Sequence, residues 1–380
     1  MHFEPDDEQR QLRDSLRRLL EVEGGFEQRR RAVAADAGWS RELWRSICEL
    51  GLAAMPLPAE HGGFGLPPIT LLPVLQELGR SLALVPFLSS TVLASSAVAG
   101  AGSAMQRSQW LPGLADGSKR LAWAHDEALA RHRGIWLQTK ARFDGLRWRL
   151  EGRKHNVLYG TDADAWVVSA RVDGAPGDAH GLALFLVAPG EGVRCAPRRL
   201  IDDTPAAEIE LQGAWGEPLG DAADHATALA TLRATQEAGL AAVCAEAAGV
   251  AESAFAFTTA YVRERRQFGR AIGDNQAVRH RVAEMQVALD MVRSAAMAAL
   301  LALDIDDGDR RRDELSRAKM LVGRHATFVA QQAIQLHGGI GMTVEYPVGH
   351  CLRRLSVIEQ SFGDAPSHAA RLGAALAAAA

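Results

Sequence analysis

Apolar residues follow two different rhythms along the chain, and the change between them marks three stretches. From Pro5 the spacing is helical: Leu12, Leu16, Leu19 and Leu20 share a face, and Leu43, Ile47, Leu50 and Leu52 form a second run. The glycine- and proline-rich residues 60–68 must then be a loop. Helical periodicity resumes over 71–93 and passes into a small-residue helix ending near Leu114. Residues 1–118 are therefore expected to form an all-helical domain.

Around Arg120 the texture shifts to short segments rich in Trp, Val, Ile and Leu. Strands are expected at 147–150, 165–169, 182–187 and 207–211, with turn signals at Asp144-Gly145, Asp173-Gly174 and Pro189-Gly190. Such punctuation predicts a small β-barrel or sandwich over 119–221. Beyond Ala222 the helical rhythm returns in long runs. Val278, Val282, Met285, Leu289, Val292 and Ala296 form one stripe, and Leu315, Ala318, Val322, Ala326, Val329, Ala333 and Leu336 another. With a helix from about Thr227 to Arg266 and a terminal one, they predict a four-helix bundle over 222–380, broken by a loop at 304–309. The fold class is thus mostly α with a central β domain.

Composition narrows the functions this architecture can serve. With 380 residues, 48% of them hydrophobic, the chain can bury a large core, while a formal net charge of −4 argues against a nucleic-acid partner. The N-terminus lacks a basic-then-apolar signal and no uncharged run reaches membrane-spanning length, so a cytoplasmic protein without a membrane partner is expected. Cys48, Cys195, Cys244 and Cys351 lie far apart, which fits a reducing compartment and predicts neither a zinc site nor disulfides. Lysine occurs only at 119, 140, 154 and 319; an arginine-biased codon usage is the plain explanation. There is no GxSxG elbow, no Walker loop and no His/Cys metal spacing.

Two segments carry candidate chemistry. Residues 261–280, between two long helices, hold Arg263, Arg265, Arg266, Arg270 and Arg279 among glycines. Such guanidinium groups can clamp a diphosphate, or simply cap a helix C-terminus. Residues 335–343, Gln-Leu-His-Gly-Gly-Ile-Gly-Met-Thr, place glycines after a helix, as an anion-binding nest or as a plain C-cap. The pattern is not GxGxxG after a strand, so a Rossmann fold is not indicated.

Together, residues 264–269 (Glu-Arg-Arg-Gln-Phe-Gly) with Gln276, and residues 335–341, resemble the two C-terminal signatures of acyl-CoA dehydrogenases. The loop 60–65, Glu-His-Gly-Gly-Phe-Gly, is similar to that family's N-terminal glycine loop, and the helix–β–helix order matches over essentially the whole chain. Residues 324–354 and the Phe362-Gly363-Asp364 ending look most like small subunits of pimeloyl-CoA dehydrogenase.

The resemblance implies FAD, seated between the β domain and the bundle, with its ADP half reaching the neighbouring subunit. Arg265 would contact the pyrophosphate across that interface beside Gln267 and Phe268, with Gln276 in the same signature. Gln335, Gly338 and Gly339 would line the ADP path. It implies an acyl-CoA substrate that loses its α-proton to a base and its β-hydride to flavin, and an electron-transferring flavoprotein for reoxidation.

The base is where this sequence departs from the family. One family position for the catalytic glutamate falls on Phe362 and the other on Gly239, and neither can take a proton. Nearby carboxylates are Glu237, Glu246, Glu359 and Asp364, of which Asp364 is the candidate in the loop the family uses near the flavin. Residues 124–131 and 152–157, including His155, also replace the family's usual flavin-facing loops. Three readings remain in competition. One is an acyl-CoA dehydrogenase, as homodimer, homotetramer or heterotetramer with a large subunit that supplies the base. The others are a flavin-containing relative with different chemistry and a non-catalytic acyl-CoA-binding subunit.

Overall fold

The computed structural model describes residues 7–379; the expected helix start at Pro5 lies outside them. The first stretch holds α1 (Asp7–Glu23), α2 (Phe26–Ala34), α3 (Arg41–Glu49), α4 (Leu72–Arg80), α5 (Ser95–Ala101) and α6 (Ala104–Ala115). Seven strands follow: β1 (Leu121–Ala124), β2 (Lys140–Phe143), β3 (Trp148–Leu158), β4 (Ala165–Arg171), β5 (Leu182–Val187), β6 (Val193–Arg199) and β7 (Pro205–Pro218). The last stretch holds α7 (His225–Glu264), a minute hairpin of β8 (Arg266–Gln267) and β9 (Arg270–Ala271), α8 (Gln276–Ala302), α9 (Gly308–His337), α10 (Pro347–Gln360) and α11 (Ala365–Ala379). The mostly helical fold with a central β domain is as the rhythm predicted.

Two details differ from the sequence reading. The run over 71–114 is not one helix passing into another but several pieces. It breaks at Leu82, which takes a left-handed φ of 53°, and continues as a π-helical segment, Phe87–Ala94. It restarts at α6 under a Ser103–Gln106 capping box, where each side chain satisfies the other's backbone N–H. Strands β1, β2 and β6 also form without a clear alternating signal, because neighbouring strands supply their partners.

The chain divides into two compact units. One comprises residues 31–67 and 84–239 and contains the strands. Pairings run from β4 through β5, β7, β3 and β2 back to β4, closing a barrel, while β1 and β6 join β4 and β7 at its margins. Every residue of β4 and β5 is buried, as expected of strands covered on both faces. Leu150, Trp166, Phe185, Ile209 and Leu211 fill the interior.

The other unit comprises residues 1–30, 68–83 and 240–380. In it α9 packs against α8, α10 and α11, and the stripe from Leu315 to Ala333 is buried along that seam. α4 and α7 cross at a pair of glycines. A Cβ on Gly249 would lie 1.8 Å from the Gln76 carbonyl oxygen, and one on Gly79 would lie 2.2 Å from that of Glu246. By length and composition α7 and α8 are apolar enough to cross a membrane, yet 72% and 50% of their most apolar windows are buried inside the protein, as in core helices.

Candidate functional site

The arginine-rich segment folds as a hairpin at the end of α7. Its two-residue turn is Phe268-Gly269 with φ values of 53° and 80°, the doubly positive geometry that matches strand twist in tight hairpins. The base is closed by Arg265 N–H donating to Tyr261 O at 2.8 Å and Ile272 N–H donating to Arg265 O at 2.8 Å. Arg270 donates to Asn275 Oδ1 at 2.5 Å, fixing the far side. Arg265, Gln267 and Gln276 are exposed, and Phe268, at the tip, is 100% exposed.

The glycine segment lies where α9 stops. Gly338 has φ 65° and ψ −139°, a conformation that only glycine adopts freely, and a short 3₁₀ turn, Gly338–Met342, follows. Gln335, Gly338 and Gly339 are exposed. A Cβ on either glycine would meet nothing within 4 Å, so the backbone there is open to close approach. The two signature segments are joined by aromatic rings: Tyr261, one turn before Arg265, stacks on His337 with ring centroids 4.4 Å apart.

At Phe362, where the sequence reading put the family's first glutamate position, the chain turns between α10 and α11. Phe362 is half-buried with φ 57° and Gly363 follows at φ 102°. Lys319, fully buried on α9, donates through Nζ to the carbonyls of Glu359 at 3.0 Å and Gly363 at 2.7 Å. His368 Nε2 bonds the Phe362 carbonyl at 3.0 Å. Burial holds His368 down to about 4, with the Lys319 charge adding to it, so the imidazole is neutral. Burial also lowers Lys319.

Each carboxylate near this turn has a structural partner. Asp364 Oδ1 accepts the Ser367 N–H at 2.8 Å and so caps α11. Glu359 Oε1 accepts the Ala365 N–H at 2.8 Å, and its Oε2 sits 3.9 Å from Lys319 Nζ over Gly323, where a Cβ would be 1.9 Å from that oxygen. Glu246 accepts Arg354 through both oxygens, at 2.6 Å each. Gly239 and Glu237 are both buried on α7.

In the β-containing unit, residues 124–131 and 152–157 come together. Lys154, fully buried on β3, donates to Glu127 Oε1 at 2.8 Å and to the His125 carbonyl at 3.2 Å. Glu127 also accepts from Thr139 N and Oγ1 at 3.0 and 2.7 Å and from Gln138 N at 2.6 Å. Burial pushes the Glu127 carboxyl up, but the Lys154 charge and these hydrogen bonds outweigh it and hold it below its usual range. His125 is held down to about 3 by burial and then by the Lys154 charge. Its Nδ1 lies 2.8 Å from Ser169 Oγ. His155 is half-buried, its N–H donating to Asp126 O at 2.8 Å.

Sequence reasoning did not single out Lys154, Lys319 or His368. The available signal was lysine scarcity: two of the four lysines sit at apolar depth, where a compact ammonium is held by carbonyls and a carboxylate. Among the described residues no group of three His, Cys, Asp or Glu is arranged to hold a metal ion, and the four cysteines are free.

A closed β-barrel in the middle of a helical chain, with a solvated arginine hairpin and an open glycine turn ending two long bundle helices, is the build of the acyl-CoA dehydrogenases. Residues 6–118 match the family model of the acyl-CoA dehydrogenase N-terminal domain and residues 233–376 that of the C-terminal domain. Similar relatives include acyl-CoA dehydrogenase FadE27 of Mycobacterium tuberculosis, 29% identical over 89% of both chains. The (2S)-methylsuccinyl-CoA dehydrogenase of Cereibacter sphaeroides is 28% identical over 93% of this chain and 67% of its own. Among solved structures, a variant of the steroid ACAD Tcur3481-Tcur3483 is 30% identical with a TM-score of 0.87, covering 98% of this chain and 99% of that one. A chain of the ChsE4-ChsE5 complex from Mycobacterium tuberculosis is 27% identical with a TM-score of 0.86 over 99% of each. The chain belongs to the acyl-CoA dehydrogenase family, whose members are FAD-dependent flavoproteins. The residues present suit that cofactor: the exposed Arg265 forms no ion pair among the described residues, and the bare Gly338-Gly339 backbone leaves room for a phosphate.

Proposed function

We propose that this chain is one subunit of a heteromeric acyl-CoA dehydrogenase, desaturating an acyl-CoA thioester between its α and β carbons, with the base supplied by a large partner subunit. The observation that carries this reading is the turn at Phe362. It is locked by Lys319 and His368, it presents a phenylalanine, and Glu246, Glu359 and Asp364 around it are each committed to a structural bond. Each of these side chains is held by its partner, so reaching a substrate proton would first mean breaking that bond. Asp364, the residue best placed by sequence for the role, is spent as a helix cap.

In this reading bound FAD would supply the hydride-accepting chemistry, while this chain's residues bind and orient. Arg265, Gln267 and Phe268, with Gln276, form one contact set, and Gln335, Gly338 and Gly339 line the diphosphate path. The enzyme passes electrons to an electron-transferring flavoprotein in the cytoplasm. The helical, β and bundle segments 1–118, 119–221 and 222–380 act as its functional domains. Two of the similar structures are named as a steroid ACAD and as a two-protein complex, which favours a bulky polycyclic acyl group and a heterotetramer over a homodimer or homotetramer.

The test is anaerobic mixing of the flavin-loaded chain with acyl-CoAs, alone and after co-purification with a homologous dehydrogenase that retains its glutamate. Bleaching of the flavin band only in the mixed assembly is expected. Fast bleaching by the isolated chain would remove the need for a partner, and a product without desaturation would point to the different-chemistry alternative. The Phe362→Glu variant is expected to bleach without the partner, since the pinned turn then carries a carboxylate; a colourless chain that cannot take up FAD would favour a purely acyl-CoA-binding subunit.

A further inference from the structure

The end of α9 is plugged by an aromatic stack that none of the chemistry above uses. His337 is 4% exposed and is the last residue of the helix. Its Nδ1 lies 2.7 Å from the Ala333 carbonyl oxygen, which can only accept, so Nδ1 carries the hydrogen. Nε2 is then an acceptor and takes the Tyr346 hydroxyl at 3.3 Å. On one side the ring lies against Tyr261 at 4.4 Å and an interplanar angle of 25°. Tyr346 approaches it at 5.0 Å and 50°, and Phe257 approaches Tyr346 at 6.3 Å. Burial lowers the His337 pKa, which keeps this neutral tautomer in place.

Each ring of the stack stands at a chain reversal. The Tyr261 carbonyl receives the Arg265 N–H and so forms the root of the hairpin that ends in Phe268. His337 leads directly into Gly338, and Tyr346 is the N-cap residue of α10, just past the glycine turn. The hairpin and the glycine turn are both short and mostly exposed, and the second holds three glycines in five residues, so left to themselves each would sample several conformations. The rings between their roots join one to the other directly.

We propose that the Tyr261–His337–Tyr346 stack is a clamp that fixes the arginine hairpin and the glycine turn as one preformed half-site for the diphosphate of a dinucleotide cofactor, with His337 as its positioning residue. The proposal rests on the flavin reading above. Preforming both segments removes the ordering cost that binding would otherwise carry, and the benefit appears as cofactor affinity rather than as a new contact.

Three variants separate the clamp from general packing. Tyr261→Leu removes the stacked face, His337→Ala removes the plug, and Tyr261→Phe keeps the ring as a conservative rescue. The readouts are the dissociation constant of FAD, followed by flavin fluorescence on dilution, and hydrogen exchange of residues 265–271 and 338–342 in flavin-stripped full-length chain. Tyr261→Leu and His337→Ala should raise the dissociation constant tenfold or more and speed exchange in both segments together, with β5 in the barrel unchanged and Tyr261→Phe close to wild type. Acceleration confined to one segment, or wild-type exchange in both, would overturn the clamp. Should wild-type chain bind no FAD, the flavin reading fails, and the paired exchange result still decides whether the clamp exists. If His337→Ala does not fold, Tyr346→Phe, which removes one hydroxyl and no packing, should show the same paired acceleration at smaller size.

Discussion

Lys319 shows how a single side chain sets the character of the turn at Phe362. Its ammonium is fully buried, bonded to two carbonyls and 3.9 Å from a carboxylate oxygen. Burying a charge is tolerated only when such partners satisfy it. The bonds also hold Phe362 in a left-handed conformation that costs a non-glycine residue roughly 1 kcal/mol or more, so the strain persists only while the surroundings dictate it. Lys319→Met keeps much of the volume but strands both carbonyls, at about 1–3 kcal/mol for each unsatisfied group. A clear drop in the urea midpoint is expected, and an unchanged midpoint would show that the turn stands without the lysine. Lys154 plays the matching part in the barrel unit, held by Glu127 and the His125 carbonyl. What the sequence offered here was only the rarity of lysine. Which lysines are buried depends on residues 27 positions away for Lys154 and 40 or more for Lys319, beyond the reach of any local pattern.

Helices and strands were legible where burial is one-sided or complete, and less so where a partner defines the element. The stripes of α8 and α9 and the wholly apolar β5 follow directly from spacing, and β5 spans the residues expected of it. β6, with proline and three arginines, has no such signal and exists because β7 offers it a ladder. The crossing of α4 and α7 is of the second kind. Gly79 and Gly249 read in sequence as helix weaknesses, yet each admits a backbone carbonyl from the other helix. Gly249→Ala should therefore lower stability by about 1–3 kcal/mol through overpacking, read as a fall in thermal midpoint. Gly373 in α11 provides the control, since nothing lies within 4 Å of a Cβ there, and alanine should leave the midpoint equal or higher. An equal fall at both positions would refute the close-crossing argument. The same distinction holds for the two signature segments: their residues were readable, but the ring stack joining them depends on α7, α9 and the start of α10 converging.

At the scale of the whole molecule the buried histidines tie stability to pH. His125 and His368 titrate at about 3 and about 4 in the folded chain against 6.5 when unperturbed, both chiefly because burial disfavours the charged ring. The unfolded chain thus binds more protons between those values, so their contribution is complete above pH 6.5 and is lost as pH falls toward 4 and then 3. Urea midpoints should decline from pH 6.5 to 5, before most carboxylates titrate, and His368→Asn should flatten the decline; a pH-independent midpoint over that range would contradict the burial of both rings. By itself the sequence determined the order of helical, β and helical stretches, the long bundle helices, and the arginine and glycine segments. These are properties of local spacing and residue identity, which solvent partition and side-chain chemistry fix without reference to distant parts of the chain. Only the tertiary structure decided that Asp364 is a cap, that Glu246 and Glu359 are committed to Arg354 and to the α11 start, that Lys319 locks the turn and that His337 plugs the glycine segment. Each of those roles is a hydrogen bond or ring contact between residues brought together by packing, and a carboxylate's capacity to act as a base depends on which such partner it meets.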